Sequence, residues 1–339
     1  MKSPKVVSVI AILILLIAAV PLWSVSAGPS DKVGLCHMDD LGGYKLIQIG
    51  SKALPAHLAH GDGLPGDPVP NMDGYMFAED CSVVEMPPAV IFNSIPEVLP
   101  GSFPSLGYEA TSTDEFGDHI LFADDARNLK TVDVSLTDWA CENDATRAPT
   151  EACITTPGSF YTHPITLNIY SVKYESGLPA PDALLGSVTQ TFNIPYRPSY
   201  DSANCSSKSP AADVPFGGTW FDPVLNQCVH GYAFVVTFDF DSLDITLPDE
   251  VIYGVAYNTA HHGAAPLGVN GPYNSLNVSL ASVPPFVGTD YDADEVFWDT
   301  SFGGFYCDGG AGGVDIFRRD AAPDCWAPYT PVIRFNAGP

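Results

Sequence analysis

Basic residues are scarce in this chain: 14 Lys and Arg stand against 40 Asp and Glu in 339 residues, a formal net charge of −26. A surface of that sign repels phosphate backbones and anionic headgroups, so nucleic acid and acidic membrane surfaces are not expected partners. The short motifs of common chemistries are also missing. There is no Gly-x-Ser-x-Gly, no Gly-x-x-x-x-Gly-Lys-Ser/Thr and no His-Glu-x-x-His. A nucleophile elbow, a phosphate-cradling loop and a zincin helix are thereby excluded. No CxxC occurs, which argues against zinc ribbons and thiol-redox centres. Nothing points to an organic cofactor or to a catalytic centre. A pair of glycosidase carboxylates could face each other across a groove, but among forty acids the sequence singles out no pair.

One long apolar run is present, at the start. Lys2 and Lys5 precede an uncharged apolar stretch from Val6 to Val20, Pro21 breaks it, and Val25-Ser26-Ala27 offers the small residues of a cleavage site. Residues 1–27 therefore read as a signal peptide. An uncleaved anchor is the alternative, since residues 6–30 carry no charge, but Pro21 and the small-residue ending favour cleavage. Cleavage leaves a secreted, extracellular chain without a membrane span, with 12 basic and 40 acidic residues and a formal charge of −28. Most of this acidity serves solubility; cation binding is the sharper use of a few carboxylates.

All eight cysteines, Cys36, Cys81, Cys141, Cys153, Cys205, Cys228, Cys307 and Cys325, lie beyond the cleavage site. An even number in an exported chain reads as disulfides, and the clustered spacing predicts sequential pairing: 36 with 81, 141 with 153, 205 with 228, and 307 with 325.

Pro-, Gly- and Asp-rich stretches at 64–74 and 85–90 mark a seam. A small Cys/His module, residues 31–86, precedes a main domain, residues 87–339. The main domain alternates with period two. In "FVVTFDFD", Phe234, Val236, Phe238 and Phe240 share one face while Thr237, Asp239 and Asp241 take the other. The same period recurs at 131–139, 165–172, 187–194, 250–257 and 275–281, with no sustained apolar stripe at helical spacing. The expected fold is all-β, an antiparallel two-sheet sandwich of jelly-roll type with long disulfide-clipped loops. "PGSF" at 100–103 and 157–160 is a chance recurrence in a Pro- and Gly-rich chain, not a repeat.

Several stretches offer ligands. "TDYDADEVFW" sets Asp290, Asp292 and Asp294 at alternate positions, as calcium loops begin. Glu295 and Ser301 stand where an EF-hand needs Gly and Glu, so a looser Ca²⁺ loop is the candidate and a solvated acidic turn the plain alternative. Asp114, Glu115 and Asp118 in "STDEFGDH" make a weaker set of the same kind. Trp220 in "GGTWFDP" reads as an exposed loop aromatic on which a sugar could stack, against core or hairpin packing. His261-His262 read as polar loop residues, and Asn204 and Asn277 match glycosylation acceptors.

The most specific stretch is "CHMDDLGGYKLIQIGSKALPAHLAHGD", residues 36–62. "YKLIQIG" alternates as a strand, and Pro55 can start a short helix that Gly61 ends, placing His57 and His60 on one face at i, i+3. With Cys36 tied to Cys81, His37 becomes a third imidazole and Asp62 an oxygen ligand. Three nitrogens and one oxygen suit Zn²⁺ or a similar divalent ion, with occupancy falling below about pH 6.5 as the imidazoles protonate. The competing reading is that these histidines cap and pack a small disulfide-held module.

"CH…LPAHLAHGD…C" resembles a Cys-His/His-x-x-His-Gly-Asp module of exported microbial proteins. "PSLGYEATSTDEFGDHILFA", "PITLNIYSV", "LPDEVIYGVAYNT" and "FYCDGGAGG" resemble blocks of uncharacterised secreted β-sandwich proteins of bacterial type. The resemblance implies export and a β-sandwich, often with a C-terminal surface anchor; the chain departs there, since "VIRFNAGP" carries neither a sorting motif nor a second apolar span. The function expected from all of this is non-catalytic binding of an extracellular glycan or other envelope component. A secreted, metal-dependent hydrolase and a purely structural surface protein are the alternatives.

Overall fold

The computed structural model describes residues 31–101, 103–143, 153–205, 220–257, 276–327 and 329–339. The expected signal segment, residues 1–27, and the His261-His262 pair lie outside the described residues. Backbone contacts divide the chain into two compact units, one ending at Val84 and the other spanning Glu85–Pro339. Strands and helices are numbered in chain order.

In the first unit, β1 (Lys32–Met38) and β2 (Tyr44–Gly50) form an antiparallel hairpin with Lys32 opposite Gly50 and Met38 opposite Tyr44. A short helix, α1 (Leu54–Leu58), follows; Pro55 sits in its first turn, where the missing N–H has no intrahelical partner to lose. β3 (Tyr75–Phe77) pairs with β4 (Val83–Glu85), whose last residue opens the second unit. The core is small: Cys36, Val69, Phe77 and Cys81, with the Tyr44 ring 4.5 Å from that of Phe77.

The second unit is built on two seven-stranded antiparallel sheets. One runs β10 (Leu178–Pro195), β9 (Phe160–Glu175), β14 (Glu250–Ala256), β7 (Thr113–Leu121), β17 (Glu295–Thr300) and β18 (Arg318–Ala321), with β16 (Thr289–Asp290) also on β7. The other runs β19 (Thr330–Pro331), β15 (Leu276–Ala281), β8 (Asn128–Asp138), β20 (Ile333–Gly338) and β5 (Ala89–Asn93). β13 (Tyr232–Asp239) also pairs with β8, and β6 (Ser105–Gly107) with β15. A one-turn helix, α2 (Tyr108–Thr111), and a hairpin of β11 (Trp220–Asp222) and β12 (Gln227–Val229) complete the set among the described residues.

The strands follow from the period-two pattern. Val236, Phe238 and Phe240 are all buried, as their shared face requires. Side chains from both sheets meet in one core: Tyr253 of β14 lies 5.8 Å from Phe335 of β20, and Phe192 of β10 lies 4.9 Å from Phe238 of β13. β9 and β10 form the longest hairpin. They are joined by Ser176 and Gly177, both at positive φ (54° and 86°), a turn whose twist matches that of paired strands.

Disulfides join Cys36 to Cys81, Cys141 to Cys153, Cys205 to Cys228, and Cys307 to Cys325, so the order of pairing is the order in sequence. Four bridges and no free cysteine are the marks of an oxidising, extracellular-type environment. No helix of the described residues is long and apolar enough to cross a membrane.

Candidate functional site

Three places bring polar or aromatic side chains together. The first is in the small unit. Cys36 of β1 bridges to Gly63: its N–H donates to the Gly63 carbonyl at 2.8 Å, and its carbonyl accepts from the Gly63 N–H at 3.2 Å. This lays the segment after α1 alongside β1. Gly61 takes φ of +92°, a conformation open to glycine, and turns the chain so that Asp62 comes back to His57. A Cβ on Gly63 would stand 2.5 Å from the Phe77 ring, so this approach also needs glycine.

Asp62 is thereby buried, at 4% exposure, while carrying a full set of donors. Its Oδ2 accepts from Nδ1 of His37 and from Nδ1 of His57, both at 2.8 Å, and its Oδ1 accepts from the Met38 N–H at 2.9 Å. The two imidazoles meet edge to face, with centroids 5.4 Å apart. Burial disfavours the charged form, but the Met38 amide and the two imidazoles outweigh it and hold the Asp62 carboxyl below the usual carboxylate range. His37, His57 and Asp62 present ligand atoms within 4.8 Å of one another. His60 is exposed and outside this group. The i, i+3 face expected of His57 and His60 does not form, because α1 ends at Leu58 and His60 falls in the turn that follows.

The second place is the face of β7 and β17 that carries Glu115. Asp290, Asp292 and Asp294 do not supply it. Each of the first two accepts the backbone N–H two residues on, at 3.2 and 3.1 Å, so their alternation is turn chemistry. Asp292 also meets Arg319 at 3.5 Å, and the three do not converge as a ligand set among the described residues. Burial pushes Asp290 up to about 6, with Glu295 and Asp292 adding their charge.

The acids that do converge are Asp114, Asp299 and Asp315. The ladder between β7 and β17 shifts register between Asp299 and Thr300, which face Glu115 and Thr113, so Asp114 is the extra residue of a bulge and is re-aimed toward Asp299. Asp315 joins through its N–H, which donates to the Thr300 carbonyl at 3.2 Å. Burial pushes Asp299 up to about 6, with the charges of Asp114 and Asp315 in support. Directly across the ladder from Asp299, Glu115 accepts from Asn168 at 2.9 Å and Tyr170 at 3.1 Å, and burial raises its carboxyl as well. Like charges opposed across a ladder are destabilising, and such arrangements cluster where chemistry is done.

The third place is a pocket of about 520 Å³ lined by Tyr196, Tyr200, Phe221 and Tyr232, with Asp201, Asn204 and Asp222 among its polar groups. Among the described residues, no Lys, Arg or His lines it. The Cys141–Cys153 and Cys205–Cys228 bridges brace the surrounding loops. Trp220 corrects an expectation: it is 4% exposed, packs with Cys141, Cys153 and Val229, and lies under the Arg197 guanidinium at 3.7 Å. Alternation along β11 turns Trp220 inward and the half-buried Phe221 toward the pocket, so the aromatic that lines it is one residue further on.

Set against protein-family models, curated proteins and solved structures, the chain matches none.

Proposed function

We propose that the chain is an exported protein whose larger unit is a two-sheet sandwich of jelly-roll type, and that it binds a neutral glycan or another uncharged envelope component in the tyrosine-lined pocket. The observation that carries this reading is the pocket's chemistry. Four aromatic side chains supply flat apolar surface, carboxylate and amide groups supply hydrogen-bond acceptors and donors, and the lack of cations disfavours an anionic ligand. Its volume suits one or two sugar rings. Export is supported by the four bridges, the signal-like N-terminus and the resemblance to secreted bacterial-type sandwich proteins.

The test is retention on a panel of immobilised neutral and acidic polysaccharides. Retention is expected on a neutral one and is lost in Tyr200→Ala and Phe221→Ala. Failure of the parent to bind any neutral polysaccharide, or undiminished binding by both variants, ends this reading.

One observation favours a second reading, a hydrolase. Glu115, fixed by Asn168 and Tyr170, stands opposite Asp299, and burial raises both carboxyls; a facing pair of carboxyls of which one can hold a proton is what glycoside hydrolysis uses. Release of reducing ends, followed on the same panel and abolished in Glu115→Gln, would establish it.

A further inference from the structure

We infer that His37, His57 and Asp62 form a binding site for a single divalent transition-metal ion, Zn²⁺ in the first instance, taken up through the Nδ1 atoms of the two imidazoles and Oδ2 of the carboxylate. Both rings direct the same nitrogen at the same oxygen, each at 2.8 Å. With the rings at 85° to each other, their Nδ1 atoms converge on one point rather than stacking side by side. In a tetrahedral site with bonds of about 2.0–2.1 Å, neighbouring ligand atoms lie roughly 3.3 Å apart. The hydrogen-bonded set is therefore a slightly contracted version of the metal-bound one, and opening it by about half an ångström per contact admits the ion.

The exchange is chemically simple. A neutral imidazole that holds its proton on Nδ1 moves it to Nε2, and the freed Nδ1 lone pair binds the metal; no net proton leaves the ring. Asp62 supplies the oxygen ligand through Oδ2, the atom on which both imidazoles already converge. Two nitrogens and one oxygen discriminate against Ca²⁺ and Mg²⁺, which take oxygen shells. The backbone pins the set from both sides: the Cys36–Gly63 bridge and the Cys36–Cys81 disulfide flank His37, and the Met38 amide holds the second carboxylate oxygen. The His37 side chain is 47% exposed, so the ion enters from solvent and water can complete its coordination.

A purely structural tie would use the same hydrogen bonds, and the test separates the two. The full-length, disulfide-bonded chain, stripped with a chelator, is titrated with ZnCl₂ by calorimetry and with CoCl₂ by visible absorption at neutral pH. One equivalent of Zn²⁺ is expected, with Co²⁺ giving the bands of a low-coordinate N/O site. His37→Ala, His57→Ala and Asp62→Asn should each weaken Zn²⁺ binding by roughly 10- to 100-fold or more, while His60→Ala leaves it unchanged. His57→Asn decides between the roles without unfolding the unit: its amide nitrogen takes the place of Nδ1 and can still donate to Asp62 but is a poor metal ligand, so the parent's melting curve should persist while Zn²⁺ binding is lost. Absence of stoichiometric binding in the parent, or Zn²⁺ affinity in His57→Asn equal to that of the parent, overturns the site. So would weakening by His60→Ala equal to that by His57→Ala.

Discussion

The two units are held together by opposite means. The larger one buries aromatic and branched side chains from two sheets in a continuous core, so its polar groups are passengers on a scaffold that stands without them. Among the described residues the small unit buries five apolar side chains, Leu35 and the four of its cluster, and two of these are the halves of one disulfide. Burying Leu35, Val69 and Phe77 is worth about 1.5–3 kcal/mol each, far too little to order some fifty residues. There the covalent bridge and the two imidazoles tied to the buried Asp62 carboxylate carry the fold. A site can thus be incidental to stability in one part of a chain and inseparable from it in another.

The largest expected effect comes from cutting that bridge. Cys36 and Cys81 are 45 residues apart, and closing such a loop stabilises by about 4 kcal/mol in the chain-entropy account. A Cys36→Ser/Cys81→Ser variant should lose hydrogen-exchange protection throughout residues 31–84 while the larger unit keeps its own; uniform loss across both units would erase the contrast.

Next is His163, buried in the larger unit with neither ring nitrogen hydrogen-bonded. Burial pushes its imidazole down to about 4. The unfolded chain therefore takes the proton first, and stability that is complete above about pH 6.5 falls as the pH drops toward 4, by about 3 kcal/mol in total. Chemical denaturation at pH 7 and pH 4.5 should show the loss in the parent and little of it in His163→Phe.

Asp299 works in the reverse direction and more weakly. Its folded carboxyl is raised to about 6, so it favours the folded state at low pH and loses that contribution as the pH rises from about 4 through 6. Because one side is open to solvent, the effect is about 1 kcal/mol. Asp299→Asn should be the more stable protein at pH 8 and no more stable at pH 4. Smallest of all, His60→Ala should change stability by less than about 0.5 kcal/mol, since the side chain is exposed and outside the cluster.

What could be read from the sequence follows from how far apart the partners lie. "YKLIQIG" is β2 end to end, and His37, His57 and Asp62 could be grouped because 25 residues and one disulfide separate them. His60 joins them on helical spacing alone, and a helix that stops two residues early, at Leu58, removes it. The Asp114, Asp299 and Asp315 group was out of reach: its members lie up to 201 positions apart, and a bulge aims one of them. Asp290, Asp292 and Asp294 look like ligands in sequence because the residue type that wraps a cation also caps tight turns. At Trp220 the reading missed by a single register step, which in a strand exchanges the inner face for the outer one.

β10 closes one margin of its sheet, and eighteen residues of open strand are a template on which another copy could grow. Pro179 and Pro181 present no N–H there, and the ladder slips twice between Pro181 and Gly186. An incoming strand would find a broken row of donors on a bent ribbon, beneath a surface whose net charge already repels its own kind. The irregularity of the longest hairpin is thus a guard against fibre formation.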